Sequence, residues 1–185
     1  MKTQLTSMMQ KRLGRTAVGP STARGMGPKG TIAAARGFLQ ELDLRRFNVK
    51  TAAGYRRRLD EVTLELQARL PRTAQHWGAA RKFLNIFLRN CSYNRFMSEA
   101  YDLARLEAWM EVPLDSHVAK GIKRDLHADD TVPRWGTVIR LSPSESDLWQ
   151  AAARKIAVQE GIASVHLDVR YWNGDHLKRA PDKHL

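Results

Sequence analysis

The amino-acid sequence predicts an all-α protein with its helices gathered into one main domain. Apolar residues recur at spacings of three and four over most of the chain, the signature of helices that each bury one face. Proline, glycine and small hydroxyl residues fall between the periodic segments, where they stop one helix and cap the next. Only "WGTVIRLSP" and "ASVHLDVRYWN" carry patterns that a strand could use.

Residues 1–30 hold Lys2, Lys11, Arg12, Arg15, Arg24 and Lys29, contain no acid, and end in the Gly/Pro-rich "GPSTARGMGPKG". Such a segment has little apolar surface to bury, so the expectation is a flexible basic arm with at most a short helix near "LTSMMQKRL". Residues 31–176 form the expected helical domain, and residues 177–185, with Lys178 and Arg179, a polar tail. Ile32, Ala35, Phe38, Leu39 and Leu42 mark one helix; Leu59, Val62, Leu66 and Leu70 mark the next, capped by Thr51 and stopped by Pro71. "AQHWGAARKFLNIFLRNCSYN" is apolar around most of its circumference and carries a polar stripe of Gly78, Arg81, Lys82, Asn85 and Arg89. That pattern predicts a central helix exposing one strip.

"RFMSEAYDLARLEAWM" continues helical as far as the break at Pro113. A later helix is expected to start at a Ser144 cap, to carry Leu148, Trp149, Ala152 and Ile156 on one face, and to end at Gly161. In residues 163–173, alternation sets Val165, Leu167, Val169 and Tyr171 against His166, Asp168, Arg170 and Trp172. Read as a helix, the same stretch puts Asp168 and Trp172 one turn apart on a shared face, and periodicity leaves both readings open.

Charge and composition narrow the function classes. With 31 Lys and Arg against 19 Asp and Glu, the 185-residue chain has a net charge of +12. Basic side chains that neutralise phosphates release condensed counterions, so nucleic acid comes before an acidic membrane surface as the partner. The single cysteine, Cys91, excludes an internal disulfide framework and fits a reducing compartment. No apolar run approaches the length of a spanning helix, and "MKTQLTSMMQKRLGR" lacks the apolar core of a signal peptide. The expectation is a cytoplasmic, nucleoid-associated monomer with no membrane partner. His117, His127 and His176 stand apart from one another and "KGIKRD" has no phosphate-loop form, so no catalytic transition metal is expected.

Two residues stand out for chemistry. In "EVPLDSHVAKGIKRD", Asp115 follows a proline-restricted approach and precedes a basic helix. The simple role is a cap on the first free N–H groups; a second role is suggested by His117, Lys120, Lys123 and Arg124, which with those N–H groups could hold a phosphate. Lys82 sits near the start of the mostly buried helix, where burial and the helix dipole both disfavour an ammonium and favour a nucleophilic amine. Its simple role is phosphate contact from the surface. Trp77, Trp109 and Trp135 lie in helical apolar patterns and read as core.

Three segments, in order, resemble the helix-hairpin-helix DNA glycosylases, most closely the archaeal-type 8-oxoguanine DNA glycosylase branch. "RKFLNIFLRN" resembles the apolar helix opened by that branch's lysine, "VPLDSHVAK" its aspartate after a proline-containing approach, and "HLDVRYW" its histidine-leucine-aspartate followed one turn later by tryptophan. Lys82 and Asp115 are 33 positions apart, which is similar to this branch rather than to the shorter spacing of the endonuclease III type.

The resemblance implies a helix-hairpin-helix glycosylase-like domain acting on double-stranded DNA that contains a modified base. It implies that Lys82 attacks C1′ of a flipped nucleotide, expels the base and leaves a Schiff base that permits strand cleavage by β-elimination. Asp115 would stabilise the cationic sugar and help activate the amine. Trp172 would stack on the base, Asp168 would contact its edge or hold the pocket, and His166 would complete the base-binding group from behind.

Phosphate contacts fall to Arg72, His76, Gly78 and Arg81 at the hairpin and to His117, Lys120 and Arg124 beyond Asp115. The hairpin "PRTAQHWGAARK" departs from the family's glycine-rich turn, since it offers only Gly78 for a phosphate or a monovalent cation. The upstream tryptophan and glutamine of the 8-oxoguanine pocket have no counterpart, so substrate identity does not transfer. A noncatalytic helical DNA-binding protein and an RNA-binding adaptor are the alternatives that the same basic charge allows.

Overall fold

A computed structural model describes residues 2–126 and 132–177, with side chains of 4–126 and 132–174. The described residues form helices and connecting segments, with no strand among them. Eight α-helices run in order: α1 (Lys2–Ala17), α2 (Thr31–Glu41), α3 (Ala52–Arg69), α4 (Trp77–Tyr93), α5 (Arg95–Tyr101), α6 (Ser116–Asp125), α7 (Pro143–Gln159) and α8 (Leu167–Leu177). Short 3-10 turns link several of them. No described helix is long and apolar enough to cross a membrane.

The expected arm is folded. α1 packs along α2 and α4, and Ala17, Val18, Ala23 and Met26 join the same buried cluster as Leu39, Phe47 and Phe83. Gln10 helps fix it there: its side-chain amide donates to the carbonyl of Leu42 at 2.6 Å and to that of Gln40 at 3.3 Å, satisfying acceptors left free at the end of α2. The segment's few apolar residues suffice because neighbouring helices supply the rest of the interface. His127 and the tail residues Lys178 and Arg179 lie outside the described residues.

α4 is the axis of the molecule, touching α1, α2, α3, α5 and α7. Its polar stripe is not an exposed strip. Gly78, Arg81, Lys82 and Asn85 are buried and Arg89 is half-buried, and acids from other segments meet the four side chains after Gly78. Arg81 is ion-paired with Asp60 of α3, lies 3.3 Å from Glu111, and donates to the Thr63 hydroxyl at 2.9 Å. Asn85 donates to Glu111 at 3.1 Å. Buried charges are retained where such partners exist.

Two apolar clusters share the molecule. One gathers α1 to α5; the other gathers Val112, Leu114 and the inner faces of α6, α7 and α8. Thr51 caps α3 as expected, its hydroxyl accepting from the Gly54 N–H at 3.1 Å. α7 begins one residue pair earlier than expected: Ser142, not Ser144, is the cap, in a reciprocal box with Glu145, and Pro143 takes the first helical position where its missing N–H costs nothing. Leu148 faces solvent, while Trp149, Ala152 and Ile156 are buried.

The segment after α5 does not continue as an α-helix. Asp102 adopts a left-handed φ of 51°, and a 3-10 helix, Ala104–Trp109, follows. "WGTVIRLSP" is irregular around the 3-10 turn Val138–Arg140. Residues 163–173 are helical: a 3-10 turn, Ser164–His166, runs into α8. α8 packs on α6 so closely that a Cβ on Gly121 would lie 2.5 Å from the Tyr171 ring. That packing face, rather than a neighbouring strand, decides the ambiguous pattern.

Candidate active site

A cavity of about 460 Å³ opens where the two clusters meet. Its walls come from four places: Thr16, Ala17, Ser21 and Thr22 of the N-terminal segment; Lys82, Ile86, Arg89, Asn90 and Tyr93 of α4; Asp115; and Asp168, Val169, Trp172 and Asn173 of α8.

Lys82 and Asp115 converge at one end. The Nζ of Lys82 lies 3.3 Å from Oδ2 of Asp115, and both residues are buried, at 7% and 9% exposure. Asp115 fills the capping role that its sequence position suggested and also meets the amine. Oδ1 accepts the N–H groups of His117 and Val118, each at 2.9 Å, so it caps α6, while Oδ2 stays turned to the amine. The cap fixes the carboxylate before any ligand arrives. Burial pushes the Lys82 ammonium below the ordinary lysine range, and the charge and hydrogen bond of Asp115 oppose that shift. A second acceptor, the carbonyl of Thr22, takes a hydrogen bond from Nζ at 3.3 Å.

The cavity wall is both aromatic and charged. Trp172 is half exposed, and the other four tryptophans contribute nothing to the lining. Trp77, Trp109 and Trp135 pack against the apolar clusters, as their helical pattern predicted. His117 stacks on the Trp172 ring, with centroids 4.5 Å apart and planes 28° apart, and its Nε2–H donates to the Tyr171 carbonyl at 2.8 Å. His117 therefore orients the indole rather than facing a phosphate. Asp168 is buried and ion-paired with Arg89, whose Nη2 also donates to the Asn90 side-chain carbonyl at 3.0 Å. His166 stands outside the lining and touches it through Tyr93, whose hydroxyl is 2.8 Å from His166 Nδ1.

The phosphate assignments divide. Arg72, Lys120 and Arg124 are exposed and His76 is half-buried, so all four reach the surface. Arg124 is paired with Asp125 at 2.8 Å. Gly78 and Arg81 are buried and cannot serve. A Cβ on Gly78 would lie 2.1 Å from the Val138 carbonyl oxygen, so the missing side chain serves helix-to-loop packing there and leaves no opening for a phosphate. Exposed Arg12, Arg15 and Arg24 flank the N-terminal wall, and Lys120 and Lys123 lie on α6 beyond Asp115.

Sequence reasoning missed four contributors. Thr22 was hidden because its contact is made by the backbone, and no side-chain pattern announces a carbonyl. Arg89 was noted only as part of a stripe, since its partner Asp168 lies 79 positions away. Tyr93 and Glu107, which meet the His166 imidazole from its two nitrogens, gave no signal at all, because each gains that neighbour from a different segment. No family model, no curated protein and no solved structure matches this chain.

Proposed function

We propose that this protein is a DNA glycosylase of the helix-hairpin-helix kind, excising a modified base through a covalent lysine intermediate. The observation that carries the reading is the buried amine of Lys82, 3.3 Å from the Asp115 carboxylate, at the end of a cavity that also holds Trp172 and Asp168. On this reading α3, the 3-10 turn Arg72–Ala74 and α4 are the hairpin and its lysine helix.

The chemistry follows from the environment. A nucleotide flipped from the duplex stacks its base on Trp172 and brings C1′ to Lys82. Desolvation favours the neutral amine, and the fixed carboxylate of Asp115 favours the positive charge that grows on the sugar as the glycosidic bond weakens. The amine displaces the base, the C1′–O4′ bond then opens with its electron pair and one nitrogen proton going to O4′, and β-elimination from the resulting Schiff base cleaves the strand. Asp168, held by Arg89, faces the base edge. The exposed Arg12, Arg15, Arg24, Lys120 and Lys123 supply phosphate affinity without sequence readout. A noncatalytic DNA binder has no use for a buried amine–carboxylate pair, which lowers stability unless its charges are compensated.

Borohydride trapping on duplexes carrying a panel of oxidised, alkylated and deaminated bases tests the proposal. We expect a covalent protein–DNA adduct with wild type and its loss in Lys82→Ala. No adduct on any modified or abasic duplex, with binding retained, would leave only the noncatalytic reading.

A further inference from the structure

Part of the cavity wall is used by none of the roles above. Lys82, Ile86, Arg89, Asn90 and Tyr93 line the cavity from one face of α4, at spacings of three and four. Eleven residues of helix separate the Cα atoms of Lys82 and Tyr93 by about 16 Å. Side chains on a helix lean toward its N-terminus, which sets the Tyr93 ring over the turn of Arg89 and Asn90. On the glycosylase reading, a base stacked on Trp172 with its sugar at Lys82 would turn the edge remote from that sugar to the part of the wall that Tyr93 forms.

Tyr93 does not stand alone there. Its hydroxyl is 2.8 Å from Nδ1 of His166, with the two rings stacked at 5.6 Å and 20° between planes. The other nitrogen of the imidazole, Nε2, lies 3.5 Å from Oε2 of Glu107. Tyr93 comes from α4, Glu107 from the 3-10 helix Ala104–Trp109 and His166 from the 3-10 turn Ser164–His166. Three separate elements thus build a chain of carboxylate, imidazole and phenol that ends at the cavity. When the imidazole carries both protons, Nε2–H faces the carboxylate and Nδ1–H faces the phenol oxygen. The phenol oxygen then accepts from His166, which leaves its own O–H to donate elsewhere, and Tyr93 lines the cavity.

We propose that Tyr93 is a further catalytic residue, the proton donor to the departing base, with His166 and Glu107 as its positioning residues. This rests on the glycosylase reading. As the C1′–N bond breaks, its electron pair goes to the base and the Lys82 nitrogen forms the new bond to C1′. The phenolic proton passes to the remote edge of the base, where a purine ring delocalises the negative charge. The phenolate then recovers a proton from solvent through the hydrogen-bonded pair of His166 and Glu107. Burial and the carboxylate of Glu107 push the Tyr93 phenol above its ordinary range, with Arg89 opposing them, so the group enters the cycle protonated. The arrangement suits a purine-sized or larger base, because a smaller ring attached at Lys82 stops short of Tyr93.

The test separates base departure from amine chemistry. Full-length wild type, Tyr93→Phe and Glu107→Gln are compared on two duplexes: one carrying the modified purine that wild type releases fastest, and one carrying an abasic site, whose aldehyde forms a Schiff base with no base to expel. We expect Tyr93→Phe to slow base release by about 100-fold and leave borohydride trapping on the abasic duplex unchanged, since general-acid assistance is of that order. Glu107→Gln should fall between the two proteins on the purine and match wild type on the abasic site. Equal base release by Tyr93→Phe and wild type overturns the proposal, as does a parallel loss on both duplexes. Wild type that traps on the abasic duplex but releases only pyrimidines overturns the proposal alone, whereas wild type inert on both duplexes overturns the glycosylase reading as well.

Discussion

Asp115 does two jobs with two oxygens, and substitution can separate them. Asp115→Asn keeps an oxygen for the N–H groups of His117 and Val118, now at 2.9 Å from Oδ1, and Asn caps nearly as well as Asp. Asp115→Ala loses the cap. The stability difference between the two variants should therefore be about 1 kcal/mol in favour of Asn, or about 2–4 °C in Tm for a chain of this size. Both lose the carboxylate, and both upward influences on the Lys82 ammonium come from Asp115. The amine should then titrate at lower pH in either variant, and the pH profile of trapping on an abasic duplex should move to lower pH with it. Base excision should move oppositely, falling about 100- to 1000-fold in single-turnover assays, the cost of removing one preorganised electrostatic group from a charge-developing transition state. Equal melting of the two variants would refute the cap. An unmoved or raised trapping profile would refute the account of the amine.

Other consequences are open to measurement. Deleting residues 1–30 should lower Tm sharply and abolish trapping even at low salt, because the deletion removes Ala17, Val18 and Met26 from the core and Thr22 from the cavity; retention of both would restore the picture of a dispensable arm. Trp172→Ala should leave folding within about 1 kcal/mol of wild type, the indole being half exposed, while base excision falls roughly 5- to 150-fold from the lost 1–3 kcal/mol of stacking. Lys82 has a folded pKa below the ordinary 10.5, so the unfolded chain binds more protons between the two values and wild-type stability should rise with pH across that window. Denaturant melts of wild type and Lys82→Met from neutral pH to about 10.5 would show the gap moving in favour of wild type, and a gap independent of pH would contradict the burial of the charge.

Helical period, together with proline and the hydroxyl cap at Thr51, made α2, α3 and α4 readable from sequence. These cues are local, and so is Gly161 at the end of α7. The N-terminal segment was not readable in the same way, because its apolar residues are few and its packing surface belongs to α2 and α4. The stripe of α4 was seen, but its burial was not: Asp60, Glu111, Asp115 and Asp168 meet it from three different segments. The amine and carboxylate were paired in sequence only through the resemblance, since 33 positions of separation say nothing by themselves about distance. The Tyr93–His166–Glu107 chain left no trace, as neither spacing nor composition links its members.

The hydrogen bond from Lys82 to Thr22 ends on main-chain oxygen. Alanine scanning across the site would delete every side-chain partner of the amine and leave that tether intact, so Thr22→Ala would look silent. The whole orientation of the nitrogen would then be credited to Asp115. Any attempt to graft the Lys–Asp couple onto another helical scaffold by copying side chains alone would transplant half of the clamp.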